Sequence, residues 1–339
     1  MRLIKTEDAV GHVLCHDMTQ IIKDKYKDAR FRKGHVVTEE DIPVLLSMGK
    51  EHLYVWEMTS GMVHENDAAE RLLALCGQEN MIRSGVKEGK IELKAACDGV
   101  FLVDSARLVA VNSQDEVMIA TRKGGMAVRE GDKLAGMRVI PLIIEEEKLR
   151  KAEQAAGDKP LLSLKPYVRK TACIVATGGE VKKGLIKDTF TPVVIDKLKT
   201  YGIETIEVVY SGDGVENVRD AVLTMREKKP DMILCTGGMS VDPDDNTPGG
   251  IKAAGANIIA YGAPVLPGAM FLLGYFDDGM PVMGLPGCVM YAGATVFDLV
   301  LPKIAADVPV TRADLAALGE GGLCLGCKPC HYPICPFGK

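Results

Sequence analysis

Residues 232–255, MILCTGGMSVDPDDNTPGGIKAAG, constrain the fold of this chain more than any other stretch. The apolar run MILC predicts a buried strand, which Gly237 and Gly238 end abruptly. Thr247 in an N-cap position, followed by Pro248 in the first helical position, predicts that a helix begins there. A strand, a glycine turn and a helix in this order are typical of an α/β fold.

Three carboxylates, Asp242, Asp244 and Asp245, lie between the glycine turn and the helix. The backbone N–H groups of such a turn and the positive end of the helix favour a phosphate, which the carboxylates would repel. A hard cation such as Mg²⁺, held by Asp245 with Asp242 or Asp244 and by the phosphate oxygens of the ligand, removes this conflict. The stretch alone is equally consistent with a surface turn whose acids cap the helix, because Gly-Gly pairs are common in turns.

Composition sets the broad class of the protein. The chain has 339 residues, of which 47% are hydrophobic and 26% are charged, as in globular proteins with two or more domains. A net charge of −5 provides no basic field for nucleic acid or an anionic membrane. The first residues, MRLIKTEDAV, contain no apolar core of a secretory signal, so we expect a cytoplasmic protein without a membrane segment.

The pattern predicts four regions along the chain. Residues 1–60 form an N-terminal α/β segment, and residues 61–160 form a smaller β-rich module with a helical connector. Residues 168–308 form an α/β domain, and residues 309–339 form a cysteine-rich tail.

Within the β-rich module, short β-branched runs at 99–104, 108–112 and 116–120 predict strands. The charged stretch 145–158 predicts the connecting helix. Further on, residues 213–216, DGVE, have the spacing of a capping box and predict a helix start.

Residues 170–306 alternate strands and helices, which predicts a three-layer, doubly wound, mostly parallel sheet. Three of the predicted strands end in turns that contain glycine, at 177–179, 236–238 and 285–287. Because the carboxyl ends of parallel strands lie along one edge of a sheet, these turns are expected to converge on a single ligand crevice.

This segment resembles the molybdopterin-binding domain shared by molybdopterin molybdotransferases (the MoeA family) and MogA-type adenylyltransferases. Four motifs occur in the family's order. Residues 237–248 are similar to GG(T/S)(G/S)xxxxDxTP, with Asp245 in the position of the functional aspartate. Residues 177–188 are similar to TGDEL…GxIxD, residues 264–268 to kPGkP, and residues 285–289 to LPGNP.

The resemblance and the acidic loop together give the candidate site residues. Asp245, Asp242 and Asp188 are the candidate catalytic residues, and Asp244 and Asp245 are candidate Mg²⁺ ligands. The predicted cofactor-binding residues are Thr177, Gly178, Gly179, Glu180, Thr236, Gly237, Gly238, Ser240, Thr247, Pro267, Gly268, Pro286 and Gly287.

The same resemblance implies that the crevice binds molybdopterin, often as its adenylate, and that Mg²⁺ and molybdate are needed for metal insertion. We also expect a homo-oligomer, and a molybdoenzyme that accepts the cofactor. Leu266 and Ala269 replace the lysines of the kPGkP loop, Gly179 replaces the aspartate of TGDEL, and Cys288 replaces the asparagine of LPGNP. The missing lysines would stabilise an oxyanion such as molybdate or phosphate. Binding of molybdopterin is therefore better supported than catalytic turnover. A non-catalytic carrier or sensor, or an iron–sulfur redox partner of molybdoenzymes, is therefore the alternative to an enzyme of cofactor assembly.

The tail contains Cys324, Cys327, Cys330 and Cys335 with His331 among them. Thiolates at this density repel each other unless they bind a metal. The spacing C-x₂-C-x₂-C-x₄-C is one residue longer than the bacterial ferredoxin run. We expect a single 4Fe–4S cluster in preference to a four-cysteine zinc site, because zinc sites more often split their ligands into two C-x₂-C pairs separated by a longer loop.

Overall fold

A computed structural model describes residues 2–22, 26–55, 61–182, 184–240, 242 and 245–339. The chain divides into two compact units, each described by itself below. The first unit comprises residues 1–96, 103–124 and 131–163, and the second comprises residues 97–102, 125–130 and 164–339. None of the helices in the described ranges is long and apolar enough to cross a lipid bilayer.

The elements up to residue 166 are mostly short strands. In chain order they are β1 (Arg2–Lys5), β2 (Met18–Ile22), β3 (Tyr26–Phe31), α1 (Asp41–Ser47), β4 (His52–Val55), β5 (Met62–His64), α2 (Glu65–Ala74), β6 (Met81–Arg83), β7 (Ile91–Ala95), β8 (Gly99–Val103), α3 (Ser105–Asn112), β9 (Val117–Thr121), β10 (Met126–Val128), β11 (Lys133–Val139), β12 (Ile143–Glu145), α4 (Glu146–Ala156) and β13 (Leu162–Pro166).

The first unit is β-rich, with an antiparallel sheet in the order β6-β7-β11-β9 at its centre. The strand predicted at 116–120 is confirmed as β9, and the helix predicted within 145–158 is confirmed as α4. The strand predicted at 99–104 is confirmed as β8, most of which belongs to the second unit. The strand predicted at 108–112 is wrong, because these residues belong to α3. The Asp104 carboxylate accepts a hydrogen bond from Arg107 N at 3.0 Å, and this cap starts a helix where β propensity alone indicated a strand.

The second unit alternates strands and helices from residue 171 onward. Its elements are β14 (Thr171–Thr177), α5 (Gly179–Lys182), α6 (Phe190–Lys199), β15 (Glu204–Ser211), α7 (Val215–Glu227), β16 (Met232–Thr236), α8 (Thr247–Ala253), β17 (Asn257–Tyr261), β18 (Leu272–Tyr275), β19 (Pro281–Leu285), α9 (Val296–Ala305) and α10 (Arg312–Ala317).

The main sheet has the strand order β15-β14-β16-β19-β18-β17. The first four strands of this order are parallel, whereas β18 and β17 are antiparallel to their neighbours. The prediction of a mostly parallel, doubly wound sheet is therefore confirmed. The β17–β18 hairpin was not predicted, because a short, continuously buried apolar run such as β18 has no strand periodicity.

Both faces of the sheet are covered, which gives the three layers expected from the sequence. Ile174 and Leu234 pack with α6 and α9 on one face. Cys173 and Val175 point to the other face and pack with α7 and α8. Successive residues of one strand therefore enter two separate cores, as the two-residue period of a strand requires.

Candidate ligand site at the carboxyl edge of the sheet

The three glycine turns lie side by side at one edge of the sheet. Ala176 of β14 is paired with Thr236 of β16, and Thr236 is paired with Leu285 of β19. These strands are adjacent and parallel, so the turns that follow Thr177, Thr236 and Leu285 all leave the sheet at its carboxyl edge. The three turns therefore lie at one edge of the sheet, as the strand order predicts.

The reversed hairpin brings a fourth predicted segment to the same edge. Leu272, at the start of β18, is paired with Gly284 near the end of β19, and it is also paired with Tyr261 at the end of β17. The connection over residues 262–271, which contains Pro267 and Gly268, therefore also lies at the carboxyl edge. Val296 N donates a hydrogen bond to Pro267 O at 3.3 Å, which holds this connection against the start of α9.

Two buried threonine hydroxyls join the first two turns. Thr177 Oγ1 donates to Thr236 O at 2.9 Å, and Thr247 Oγ1 donates to Gly237 O at 2.9 Å. The predicted N-cap role of Thr247 is wrong: Asn246 is the N-cap, and Thr247 is the first residue of α8. Its hydroxyl fixes the glycine turn instead of the helix terminus.

Several backbone donors along this edge are open. No described atom accepts a hydrogen bond from the N–H groups of Gly238, Ser240 or Gly287, all of which are partly or fully exposed. A Cβ added to Gly287 would meet no atom within 4 Å. Uncommitted N–H groups beside open space are donors that an anion can use.

In the first glycine turn, the backbone N–H groups donate hydrogen bonds to other parts of the protein. Gly178 N donates to Ser211 O at 3.3 Å, and Gly179 N donates to the Asp213 carboxylate at 3.0 Å. The capping box predicted at 213–216 is wrong, because α7 has Gly214 at its N-cap and no side-chain cap. Asp213 was given no site role, yet it fixes the turn at the end of β14.

The acidic loop is partly ordered by its own backbone. Asp245 N donates to Asp242 O at 2.9 Å, and Asp242 N donates to Asp245 Oδ2 at 3.3 Å. The other carboxylate oxygen, Asp245 Oδ1, accepts no hydrogen bond from the described part of the chain, and the Asp242 side chain is exposed. Asp244 and the side chain of Glu180 lie outside what is described. One half-buried and one exposed carboxylate fit Mg²⁺, which usually takes one or two carboxylates besides ligand oxygens and water.

Asp188, a predicted catalytic residue, has a structural contact at the start of α6. Its Oδ1 accepts hydrogen bonds from Phe190 N at 2.9 Å and Thr191 N at 3.0 Å, so the carboxylate caps α6. Burial raises the pKa of the nearby Tyr210 phenol, and the negative charge of Asp188 adds to this rise.

Tyr261 was not recognised from the sequence, because the strand that carries it was not predicted. Its hydroxyl donates to Met239 O at 3.0 Å, directly beside the second glycine turn. Burial raises the pKa of Tyr261, and the negative charge of Asp245 adds to the rise. The phenol therefore stays protonated at neutral pH and keeps donating to the turn.

The tail thiols are not gathered into a metal site. Cys324 and Cys335 are half-buried, whereas Cys327 and Cys330 are exposed. Across the ranges described above, no group of three or more His, Cys, Asp or Glu side chains is arranged to bind a metal. Cys288, on the third turn, is a protonated thiol at neutral pH, because burial raises its pKa.

Two cavities elsewhere contain none of the predicted site residues. One cavity, of 380 Å³, lies at the opposite edge of the main sheet, and its lining includes Arg169. The Arg169 guanidinium donates hydrogen bonds to Asp231 O, Gly279 O and the Asp307 carboxylate. The other, of 620 Å³, lies in the first unit and is lined by residues that include Arg30, Arg32, His35 and Asp41.

Two family models match the chain. Residues 173–306 match a probable molybdopterin binding domain, and residues 3–57 match a domain of unknown function (DUF8806). The first match confirms the resemblance predicted from the four motifs: residues 173–306 are similar to a probable molybdopterin binding domain.

Curated relatives and solved structures also match the chain. A CinA-like protein of Mycobacterium tuberculosis (strain ATCC 25177 / H37Ra) is 33% identical over 76 residues, which are 22% of this chain and 18% of the relative. A CinA-like protein of Pseudothermotoga lettingae is 31% identical over 78 residues, 23% of this chain and 19% of the relative. The chain thus spans about a fifth of the length of these relatives. A structure of MogA covers 41% of this chain and 97% of its own at 20% identity (TM-score 0.36), and the molybdopterin biosynthesis enzyme MoaB of Thermus thermophilus covers 42% and 98% at 16% identity (TM-score 0.36).

Proposed function

We propose that the carboxyl edge of the main sheet binds molybdopterin or its adenylate and promotes Mg²⁺-dependent insertion of molybdate. The observation that carries this proposal is the row of glycine turns on β14, β16 and β19, with open N–H groups at Gly238, Ser240 and Gly287. The match of residues 173–306 to a probable molybdopterin binding domain supports the choice of ligand.

Within this proposal the backbone and the acids have separate tasks. The open N–H groups of Gly238, Ser240 and Gly287 donate to the phosphate oxygens of the ligand. Asp245, with Asp242 beside it, would hold the cation that lets carboxylates and phosphate share the crevice. The chemistry that Mg²⁺ would supply there is neutralisation and polarisation of the phosphate. Thr247 and Tyr261 keep the glycine turn in place and contribute no chemistry themselves.

The remaining parts of the proposal concern partners and place. The inserted metal comes from molybdate, and a molybdoenzyme receives the finished cofactor. The protein acts in the cytoplasm as a homo-oligomer.

Anaerobic incubation with adenylated molybdopterin, molybdate and Mg²⁺ tests the activity. We expect release of AMP, and we expect Asp245→Asn to reduce that release strongly while leaving the fold intact. Asp278→Asn is the matched control, because this carboxylate pairs with Arg226 at 3.0 Å, far along the chain from the acidic loop. Absence of AMP release beside an active control enzyme would remove the enzymatic part of the proposal.

One observation favours a second candidate, a non-catalytic carrier or sensor of molybdopterin. Leu266 stands where the related loop has lysine, and 57% of its surface is exposed at the crevice edge. An apolar side chain there provides no charge for an oxyanion in the transition state. The carrier hypothesis predicts tight molybdopterin binding without AMP release, and the same incubation therefore separates the two candidates.

We also propose that the tail binds metal, as a 4Fe–4S cluster or as zinc. The donor set of four thiols within twelve residues, 324–335, supports this, although the described conformation does not bring the thiols together. Iron, sulfide and zinc analysis of anaerobically purified protein tests it. Iron and sulfide would also support the remaining alternative, a redox partner of molybdoenzymes, whereas absence of all three would exclude both.

A further inference from the structure

The first unit has its own cavity, of 620 Å³, which lies between the end of β3 and the start of α1. Its lining runs from Ala29 to Val44, so a single short segment of the chain builds it. Small-molecule sites in proteins typically have volumes of about 300–1,000 Å³. The cavity is therefore large enough for a small ligand, and none of the groups that line it takes part in the proposed function.

Two arginines of the lining, Arg30 and Arg32, have guanidinium groups that are open to a ligand. Both side chains are exposed, and neither guanidinium makes a hydrogen bond or an ion pair within the described part of the chain. By contrast, Arg71, Arg83 and Arg107 of the same unit pair with carboxylates at 2.7, 2.6 and 2.9 Å. Each guanidinium offers N–H donors in a planar fork, which matches the oxygens of a phosphate or a carboxylate.

A β-bulge in the hairpin of β2 and β3 sets the position of the first arginine. Met18 is paired with Phe31 and Thr19 with Ala29, which leaves Arg30 as an extra residue without a partner on β2. A bulge bends its strand and changes the direction of the side chains beside it, and bulges are frequent next to functional sites. The irregular part of β3 therefore coincides with the cavity wall.

The α1 side of the lining is held in place by hydrogen bonds around Asp41. His35 Nε2 lies 2.6 Å from Asp41 Oδ2, and Thr38 N and Thr38 Oγ1 both donate to the same oxygen at 2.8 Å. The chain turns between Arg32 and His35, because His35 N donates to Arg32 O at 3.0 Å. The His35 ring packs on Phe31, with 5.2 Å between the ring centroids. These contacts order the lining before a ligand binds, which lowers the entropic cost of binding.

Two carboxylates of the α1 side remain available as acceptors. Glu40 is exposed and has no ion pair in the described ranges, and Asp41 Oδ1 accepts no hydrogen bond there. Carboxylates repel phosphate groups but accept hydrogen bonds from hydroxyl groups. Basic groups on the β3 side and acidic groups on the α1 side therefore favour a ligand with one phosphate and several hydroxyls over a polyphosphate or a nucleic acid.

We propose that this cavity binds a phosphate monoester whose organic part carries hydroxyl groups, either a sugar phosphate or a nucleoside monophosphate. Arg30 and Arg32 donate to the phosphate oxygens and balance about two negative charges. Glu40 and Asp41 Oδ1 accept hydrogen bonds from the hydroxyls of the sugar. The first unit is then a ligand-binding module, and this inference is independent of what the main sheet of the second unit binds.

Titration calorimetry on the full chain tests the proposal, with ribose 5-phosphate as the first ligand and AMP as the second. We expect ribose 5-phosphate to bind about tenfold more tightly than inorganic phosphate, because its hydroxyls add hydrogen bonds to the carboxylates. Equal affinity for these two ligands would overturn the choice of ligand class. AMP that binds at least as tightly as ribose 5-phosphate assigns the cavity to a nucleotide, and AMP that binds more weakly assigns it to a sugar phosphate.

Arginine variants locate the binding. Arg30→Gln and Arg32→Gln should each weaken ribose 5-phosphate binding about tenfold, and together about hundredfold, because each guanidinium provides charge-assisted hydrogen bonds. Arg312→Gln is the matched control for each single variant and should leave the affinity unchanged. This exposed arginine of the second unit also has no partner among the described residues, and its replacement removes the same charge.

The same variants separate this cavity from other sites on the chain. Only the AMP binding that the double variant loses belongs to the cavity, whereas AMP binding that it keeps occurs elsewhere. Because both arginines are exposed, the double variant should unfold at the wild-type temperature. Absence of binding by ribose 5-phosphate and AMP, or ribose 5-phosphate binding that the double variant keeps in full, would overturn the proposal.

Discussion

The hydroxyl oxygens of Thr177 and Thr247 are 3.2 Å apart, at the point where the turns after β14 and β16 meet. Each hydroxyl has one proton, and both protons are donated to backbone carbonyls of the second turn. The short distance is therefore a packing contact between two groups that hold the same turn. It fixes the position of Gly237 and Gly238 relative to the first strand of the sheet.

Replacing Thr247 by valine should destabilise the protein by about 1–3 kcal/mol. The substitution keeps the shape but leaves the Gly237 carbonyl without its donor in a site where Thr247 is 1% exposed. Thr200→Val is the matched control, because its exposed hydroxyl donates to Lys197 O at a helix end, and we expect a change within about 0.5 kcal/mol. Urea unfolding measures both, and equal effects would contradict the bracing role of Thr247.

Gly237→Ala should be much more damaging than Gly255→Ala. Both glycines have positive φ, +82° and +91°, so both substitutions carry about 1–2 kcal/mol of backbone strain. At Gly237 the new Cβ would also lie 2.4 Å from Thr177 O, whereas at Gly255 it meets nothing within 4 Å. We therefore expect a loss above about 3 kcal/mol at Gly237, from strain and overpacking together. Thermal unfolding of the two variants checks the order.

Gly287→Ala distinguishes a ligand site from a structural turn. A Cβ there meets no protein atom within 4 Å and φ is not positive, so stability should change by less than about 0.5 kcal/mol. If molybdopterin lies against this turn, the affinity of the Gly287→Ala variant for molybdopterin should fall about tenfold or more, because the new methyl group occupies the space of the ligand. Gly85→Ala, with the same open surroundings, is the control and should leave affinity unchanged. Unchanged affinity in both variants would exclude Gly287 from the site.

Asp231 should make the stability of the second unit depend on acid pH. Burial alone would raise the pKa of Asp231, but hydrogen bonds from Lys170 N, Thr171 N and Thr171 Oγ1 outweigh it and lower the pKa below its ordinary value. A lowered native pKa gives stability that is present above the unfolded pKa, about 3.9, and is lost as pH falls below it. We expect Asp231→Ala to cost about 2 kcal/mol at pH 7 and progressively less below pH ~4. Urea unfolding across this range measures the difference, and a pH-independent cost would contradict it.

The sequence was most informative where glycine stops an apolar run. The strands ending at Thr177, Thr236 and Leu285 were predicted because each apolar run stops abruptly at a turn that contains glycine. Their convergence followed from topology, since parallel strands place their carboxyl ends together.

The misses arose where a side chain had two possible partners. Asp213 has capping-box spacing but accepts from Gly179 N, 34 residues away in the sequence, and no local pattern contains that information. The Thr247 hydroxyl likewise donates its hydrogen bond to Gly237 O in the preceding turn and not to the start of the helix. Tyr261 could not be found at all, since its place at the site depends on a hairpin that reverses direction.

That reversed hairpin has a practical consequence for changing ligand preference. The parallel strands reach the crevice through crossovers that also build the helical layers, so altering their turns disturbs the cores. The connection over residues 262–271 joins two neighbouring antiparallel strands and can be lengthened or shortened without rerouting any crossover. Ala263, Val265 and Phe271 of this connection are buried in the core, so its exposed residue Leu266 is the place at which directed evolution could reshape this pocket at the lowest risk to folding.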